Sequence, residues 1–121
     1  MTDPLAQLLD VVGKNEYVGW YTYLPEQADN IKLELPQKPI IVSEFGAEAK
    51  AGNHASKDLR WTEESQVDFY QHNFTMLSNI PQVRGLAPWI LMDFRSPTRN
   101  IPELQDGFNR KGLISEDGQQ K

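Results

Sequence analysis

Apolar and polar positions fall in blocks along this chain, and the blocks recur in one order: apolar run, polar loop, helical pattern. The first run is Leu8-Leu9-Asp10-Val11-Val12-Gly13, which predicts a strand of the kind buried on both faces. The polar and aromatic stretch from Asn15 to Tyr23 reads as a loop. Pro25 to Ile31 predicts a short helix with proline in its first turn. Pro36 and Pro39 bracket a linker, after which Ile40-Ile41-Val42 predicts a second strand. A long loop rich in Gly, Ala, Asn and Ser runs from Phe45 to Leu59. Thr62 has the chemistry of an N-cap, and Glu63 and Glu64 follow in the first turn, where the helix dipole favours negative charge. Val67, Tyr70, Phe74 and Leu77 then recur at helical spacing and predict a buried face. Pro81 stands just beyond its end. Gly85 to Met92 predicts a third strand, and a loop from Asp93 to Phe108 leads into Gly112-Leu113-Ile114-Ser115.

Strands separated by helical patterns predict βαβ units, hence an α/β fold with a parallel sheet. In such sheets chemistry collects at the C-terminal ends of the strands. Each predicted strand here ends in residues of that kind: Asn15-Glu16-Tyr17, then Ser43-Glu44, then Trp89 through Asp93. The chain has 121 residues, enough for one compact unit but not for an eightfold barrel of about 250 residues.

Composition narrows the function classes. The net charge is −5 and the pI about 4.9, and Lys and Arg form no stripe, so nucleic acid is not an expected partner. No apolar run approaches the roughly 18 residues of a membrane span, and Met1-Thr2-Asp3-Pro4 has no basic n-region or apolar h-region. Cysteine is absent, which removes disulfides and thiolate metal sites. His54 and His72 have no partner at metal-ligand spacing, and no Gly-rich phosphate loop or Ser/His/Asp triad is visible. No metal or cofactor is expected.

Glu44 directly follows three large aliphatic residues. A carboxylate half out of an apolar wall needs a hydrogen-bond donor to stay ionised. Spacing alone does not separate that candidate from a solvated glutamate opening a loop. Tyr17 ends the preceding strand and can supply the donor. Tyr17, Trp20, Tyr21 and Tyr23 form an aromatic group that suits either sugar stacking or gap filling. Trp89 can be a sugar platform or a core plug, and Asp93 is read as a loop anchor accepting backbone N–H bonds. Asn109 and Lys111, an amide and an ammonium two residues apart, suit an anionic or hydroxylated ligand; an ordinary polar turn before Gly112 is the alternative.

In order along the chain, Asn15-Glu16-Tyr17-Val18-Gly19-Trp20-Tyr21, Pro39 through Gly46, and Trp89 through Phe94 resemble N-x-Y-x-G-W-Y, P-I-x-x-[ST]-E-[FY]-G and W-x-x-x-D-F. These are motifs of glycoside hydrolase family 2, the β-galactosidase and β-glucuronidase family. Ala51 to His54, Thr62-Glu63-Glu64, Ser96-Pro97-Thr98-Arg99 and Asn109-Arg110-Lys111-Gly112 look most like its β-glucuronidase branch. The resemblance implies that residues 1–121 are a C-terminal fragment of a catalytic (β/α)8 TIM barrel, roughly its last three strands with two intervening helices. It implies a retaining glycoside hydrolase acting on a carbohydrate β-glycoside. Glu44 would be the nucleophile and Tyr17 its support. Asn15, Tyr21 and Trp89 would line the sugar pocket, and Asn109 and Lys111 would read a substrate carboxylate. The family's acid/base glutamate belongs to an earlier strand, so Glu16 is not its counterpart. The missing barrel half, or a second copy of the chain, is the protein partner so implied. A non-catalytic carbohydrate-binding or interaction fragment is the rival from another class, and β-galactosidase specificity is the rival within it.

Overall fold

The computed structural model describes residues 4–30 and 37–121; Ile31 and Pro36 of the expected helix and linker lie outside them. Three parallel strands form one sheet: β1 (Val12–Asn15), β2 (Ile40–Phe45) and β3 (Val83–Pro88), in the order β1-β2-β3. One α-helix, α1 (Glu63–Ser78), joins β2 to β3. A short antiparallel pair follows, β4 (Phe94–Arg95) with β5 (Phe108–Asn109). The expected α/β class with a parallel sheet holds. Of the two intervening helices, the second is α1, and the first is a 3-10 turn at Pro25–Asn30.

The helix starts where its cap chemistry puts it. Thr62 has extended backbone, and its side-chain oxygen accepts a hydrogen bond from the Ser65 N–H at 3.0 Å. Its buried face differs from the expected one. Val67 is 51% exposed and Phe74 41%, while Gln66, Phe69, Asn73, Met76 and Leu77 face inward. Two polar residues belong to that face because backbone carbonyls await them. Gln66 Nε2 donates to Ala47 O at 2.8 Å and Gly112 O at 3.2 Å, and Asn73 Nδ2 donates to Val18 O at 3.0 Å. A buried carbonyl without a donor is costly, so these amides stabilise the helix–loop contact as apolar residues could not. A core of Val18, Trp20, Ala28, Ile40, Val42, Phe45, Phe69, Met76 and Leu77 lies between α1 and one face of the sheet.

Two strand expectations need correction. The first strand begins at Val12, after a 3-10 turn at Pro4–Gln7, and Leu8 is 82% exposed. β1 is an edge strand with alternating partial exposure rather than one buried on both faces. The third strand ends at Pro88, short of the expected Met92, and the Trp89–Ile90 peptide that follows is cis. Part of the loop from Asp93 to Phe108 is ordered as the β4–β5 pair.

Candidate functional site

The C-terminal ends of β1 and β2 meet through a register shift after Lys14, which sets Asn15 opposite Glu44. The chain continues the contact with Glu16 N–H donating to Glu44 O at 2.8 Å. The Glu16 side chain turns inward. Its Oε1 accepts from the N–H groups of Tyr17 and Val18 at 3.0 and 3.1 Å, and its Oε2 pairs with Lys14 at 2.8 Å. That pinned turn carries Tyr17, whose hydroxyl donates to Glu44 Oε2 at 2.9 Å. Burial first, then the bond to Glu44 and its negative charge, raise the Tyr17 pKa far above the usual phenol value. The phenol therefore stays a proton donor and holds one carboxylate oxygen in place. Asn15 sits on the exposed rim, where its Oδ1 accepts from Ser43 Oγ at 2.9 Å.

A second cluster stands beside this pair. Lys111 is 1% exposed, and its Nζ donates to Tyr21 Oη at 2.8 Å and Glu48 Oε1 at 3.0 Å. The ammonium lies 4.9 Å from the ring centre of Tyr21, 5.5 Å from that of Trp20 and 5.7 Å from that of Tyr17. Aromatic faces stabilise a buried cation of this kind. The Tyr17 and Tyr21 rings are themselves 5.1 Å apart, so the Glu44 pair and the Lys111 cluster share one wall. Glu48 has no exposed surface; it also accepts from Arg99 Nη1, from Gln105 Nε2 at 3.0 Å and from the Arg110 N–H at 3.3 Å. Arg99 Nη2 reaches Tyr21 Oη at 3.5 Å. Burial raises the Tyr21 pKa, but the bonds from Lys111 and Arg99 outweigh it, and the net shift is downward. Asn109 Oδ1 accepts from the Lys111 N–H at 3.1 Å and so shapes the turn that delivers the lysine.

Trp89 follows β3. Its N–H donates to Phe45 O at 2.8 Å, and its ring meets Phe94 edge-on at 6.2 Å. Gly46 makes that approach feasible, since a Cβ there would stand 2.2 Å from Trp89 O. Asp93 is buried and accepts from the Gly112 N–H at 2.8 Å, as a loop anchor should; Lys121 Nζ at 2.8 Å and Arg110 complete its shell. The structure thus brings Tyr17, Glu44, Tyr21 and Lys111 to one wall, with Asn109 behind it and Asn15 on the rim. Trp89 belongs to the neighbouring strand end.

Sequence reading missed Glu48 and Arg99 as members of the site. They are 51 residues apart, and no local pattern links them; the signals available were Glu48 following Glu44 closely and Arg99 closing the Ser96-Pro97-Thr98-Arg99 run. His54 Nδ1 lies 2.9 Å from Glu64 Oε1 and His72 Nδ1 lies 2.9 Å from Asp29 Oδ2, so each ring already has a carboxylate partner. Among the described residues no group of three or more His, Asp or Glu could hold a metal, and no helix is long and apolar enough to cross a membrane. A cavity of about 400 Å³ is walled by Trp20, Leu24, Arg60 and Phe69; it shares Trp20 with the Lys111 cluster, and Glu44 takes no part in it.

No protein-family model matches the sequence. Curated relatives do. The β-glucuronidase of Streptococcus agalactiae is 36% identical over 98% of this chain and 21% of its own length. Human β-glucuronidase is 33% identical over 98% of this chain and 20% of its own length. Among solved structures, the Ruminococcus gnavus β-glucuronidase in complex with D-glucuronic acid superposes with a TM-score of 0.78 at 26% identity, over 95% of this chain and 21% of that one. The family 2 β-galacturonidase of Eisenbergiella tayi bound to galacturonate gives 0.75 at 25% identity, over 93% and 22%. The chain spans about a fifth of the length of the curated relatives it matches. Nearly the whole chain is thus similar, in sequence and in fold, to about a fifth of β-glucuronidases and family 2 uronidases, a β-glucuronidase-like segment of the glycoside hydrolase family 2 kind.

Proposed function

We propose that residues 1–121 are the C-terminal part of a (β/α)8 catalytic barrel that hydrolyses β-linked uronic acid glycosides with retention. The observation that carries this reading is the Tyr17–Glu44 hydrogen bond of 2.9 Å at adjacent parallel strand ends. Glu44 is partly exposed, so one carboxylate oxygen is held while the other can face a ligand. In the reaction, a Glu44 oxygen attacks the anomeric carbon through an oxocarbenium-like transition state, and the glycosidic bond breaks. A general acid protonates the departing oxygen. Water, deprotonated by the same group, then cleaves the glycosyl ester and regenerates Glu44.

The acid/base must stand about 5–5.5 Å from the nucleophile and exchange protons with solvent. Glu16, Glu48 and Asp93 are all buried and tied to cations or backbone N–H groups. The reading therefore assigns the acid to a strand beyond this segment, and assigns to Asn15, Tyr21 and Trp89 the lining of the sugar pocket. It assigns the reading of the substrate carboxylate to Asn109 and Lys111, the ammonium supplying the positive charge and the amide the turn that delivers it. The bare sheet face, with Gly13, Ile41 and Ser43 exposed, supports a barrel lumen completed by other strands.

The test joins residues 1–121 to the remainder of the Streptococcus agalactiae enzyme in place of the aligned fifth. This hybrid should turn over an aryl β-glucuronide, and the 121-residue chain alone should not. Near-equal turnover by the chain alone would refute the placement of the acid outside it.

A further inference from the structure

Glu16 is a buried carboxylate, 6% exposed, for which the proposed reaction has no use. Burying such a group is costly unless its oxygens are matched, and here both are. Oε1 accepts from the Tyr17 and Val18 N–H groups at 3.0 and 3.1 Å, and Oε2 pairs with Lys14 Nζ at 2.8 Å. Lys14 stands opposite Val42, whose side chain belongs to the core, whereas Asn15 and Ser43 meet on the exposed rim. The Lys14–Glu16 pair therefore lies behind the strand ends, on the core side of β1.

Two consecutive residues grip Glu44. The Glu16 N–H holds its carbonyl oxygen at 2.8 Å, and the Tyr17 hydroxyl holds its Oε2 at 2.9 Å. The peptide unit between these two grips is the one whose N–H donates to Glu16 Oε1. Tyr17 is fixed on its other side as well, where its carbonyl accepts from the Trp20 and Tyr21 N–H groups at 3.0 and 3.2 Å. Without the Glu16 carboxylate, the Tyr17 and Val18 N–H groups lose their acceptor, and that turn loses its anchor to Lys14.

We propose that Glu16 is a positioning residue for the nucleophile: its carboxylate, anchored by Lys14, sets the turn at Tyr17 and Val18 so that the Tyr17 hydroxyl meets Glu44 Oε2. The proposal rests on the roles of Glu44 and Tyr17 given under Proposed function. Glu16 makes and breaks no bond in the reaction and acts only through Tyr17.

In the hybrid enzyme, Glu16→Ala should lower kcat for an aryl β-glucuronide about tenfold, the lower end for a charged hydrogen bond, with KM little changed. In a Tyr17→Phe background the same substitution should cost less than about twofold, because residues acting through one contact do not add. Glu16→Gln, which keeps a neutral acceptor for the two N–H groups, should recover part of the loss. A general structural role would give the same loss in both backgrounds; that result, or no loss in either, would overturn the proposal. If Tyr17→Phe slows the enzyme and Glu16→Ala adds its full loss, only this inference fails. If Tyr17→Phe itself leaves turnover unchanged, the reading of the Tyr17–Glu44 bond fails with it. A second measurement decides the matter where Glu16→Ala does not fold. In the 121-residue chain, Glu44→Gln should move the Tyr17 Cζ resonance, and in a Glu16→Gln background that response should shrink because the bond is already loosened. A response of the same size in both backgrounds would overturn the role of Glu16.

Discussion

Glu44 and Glu48 lie four residues apart on one segment, and their surroundings are opposite. Glu44 is the penultimate residue of β2, is partly exposed and, among the described residues, receives one side-chain bond, from Tyr17 at 2.9 Å. Glu48 has no exposed surface and receives four donors, two of them cations. A carboxylate saturated with partners has no oxygen left to attack a substrate, and its removal strands buried charge. A carboxylate held at one oxygen is oriented but still available. On the proposed reading, that difference is what separates a nucleophile from a structural anion.

Substitutions at the two positions should therefore fail in different ways. Glu44→Gln in the hybrid enzyme should cost turnover on the order of 10⁴-fold, as for other residues that form the covalent bond. It should move the melting temperature little, because a partly exposed group with one partner contributes about 0.5 kcal/mol or less. Glu48→Gln should do the reverse, destabilising by about 3–5 kcal/mol as Lys111 and Arg99 lose their shared counter-ion; thermal unfolding reads this directly. If Glu48→Gln melts like the parent, the cluster is not the anchor described here. Tyr17→Phe is the intermediate case. It should slow glycosylation about 10- to 100-fold while a mechanism-based fluoro-sugar still labels Glu44, since the nucleophile is loosened but present.

Phenol titration sharpens the comparison at smaller cost. Tyr21 should ionise below its ordinary value of 10.0, Tyr70 at about 12 because of burial, and Tyr17 later still. The sign for stability follows. Tyr17 is raised in the folded state, so it keeps its proton where the unfolded chain loses it, and stability falls as pH climbs above 10. Tyr21 is lowered, so its contribution rises as pH passes from its folded value towards 10. Glu44→Gln should bring the Tyr17 value down without normalising it, because burial remains. Resonances of the tyrosine Cζ carbons report each step. The smallest effect is at the helix: Thr62→Ala should cost about 1 kcal/mol by removing the bond to Ser65 N–H.

The end of the second strand was legible because the apolar run Ile40-Ile41-Val42 stops at Ser43-Glu44, whereas the third strand ends at Pro88, short of the expected Met92. Thr62 was legible for a similar reason, since the cap, the acidic first turn and the helix all agree locally. The helix face was not legible. Hydrophobic spacing favoured Val67 and Phe74, but the inward positions are occupied by Gln66 and Asn73, chosen by carbonyls of Ala47, Gly112 and Val18 that only the fold brings near. The first strand was set too early because Leu8 and Leu9 look buried by type, yet they lie before the sheet edge and outside its cover. Glu48 and Arg99 escaped notice because their contact closes a long loop, and nothing in either local stretch encodes the other.

The most direct test of the central claim is the location of the covalent glycosyl bond. The hybrid enzyme would be inactivated with a 2-fluoro-glucuronyl fluoride, digested with trypsin and sequenced by tandem mass spectrometry. No Lys or Arg separates Glu44 from Glu48, so one peptide carries both, and fragment ions between them decide the matter. The account predicts the added mass on Glu44, and its disappearance in Glu44→Gln. The added mass on Glu48, Glu16 or Asp93 would contradict it.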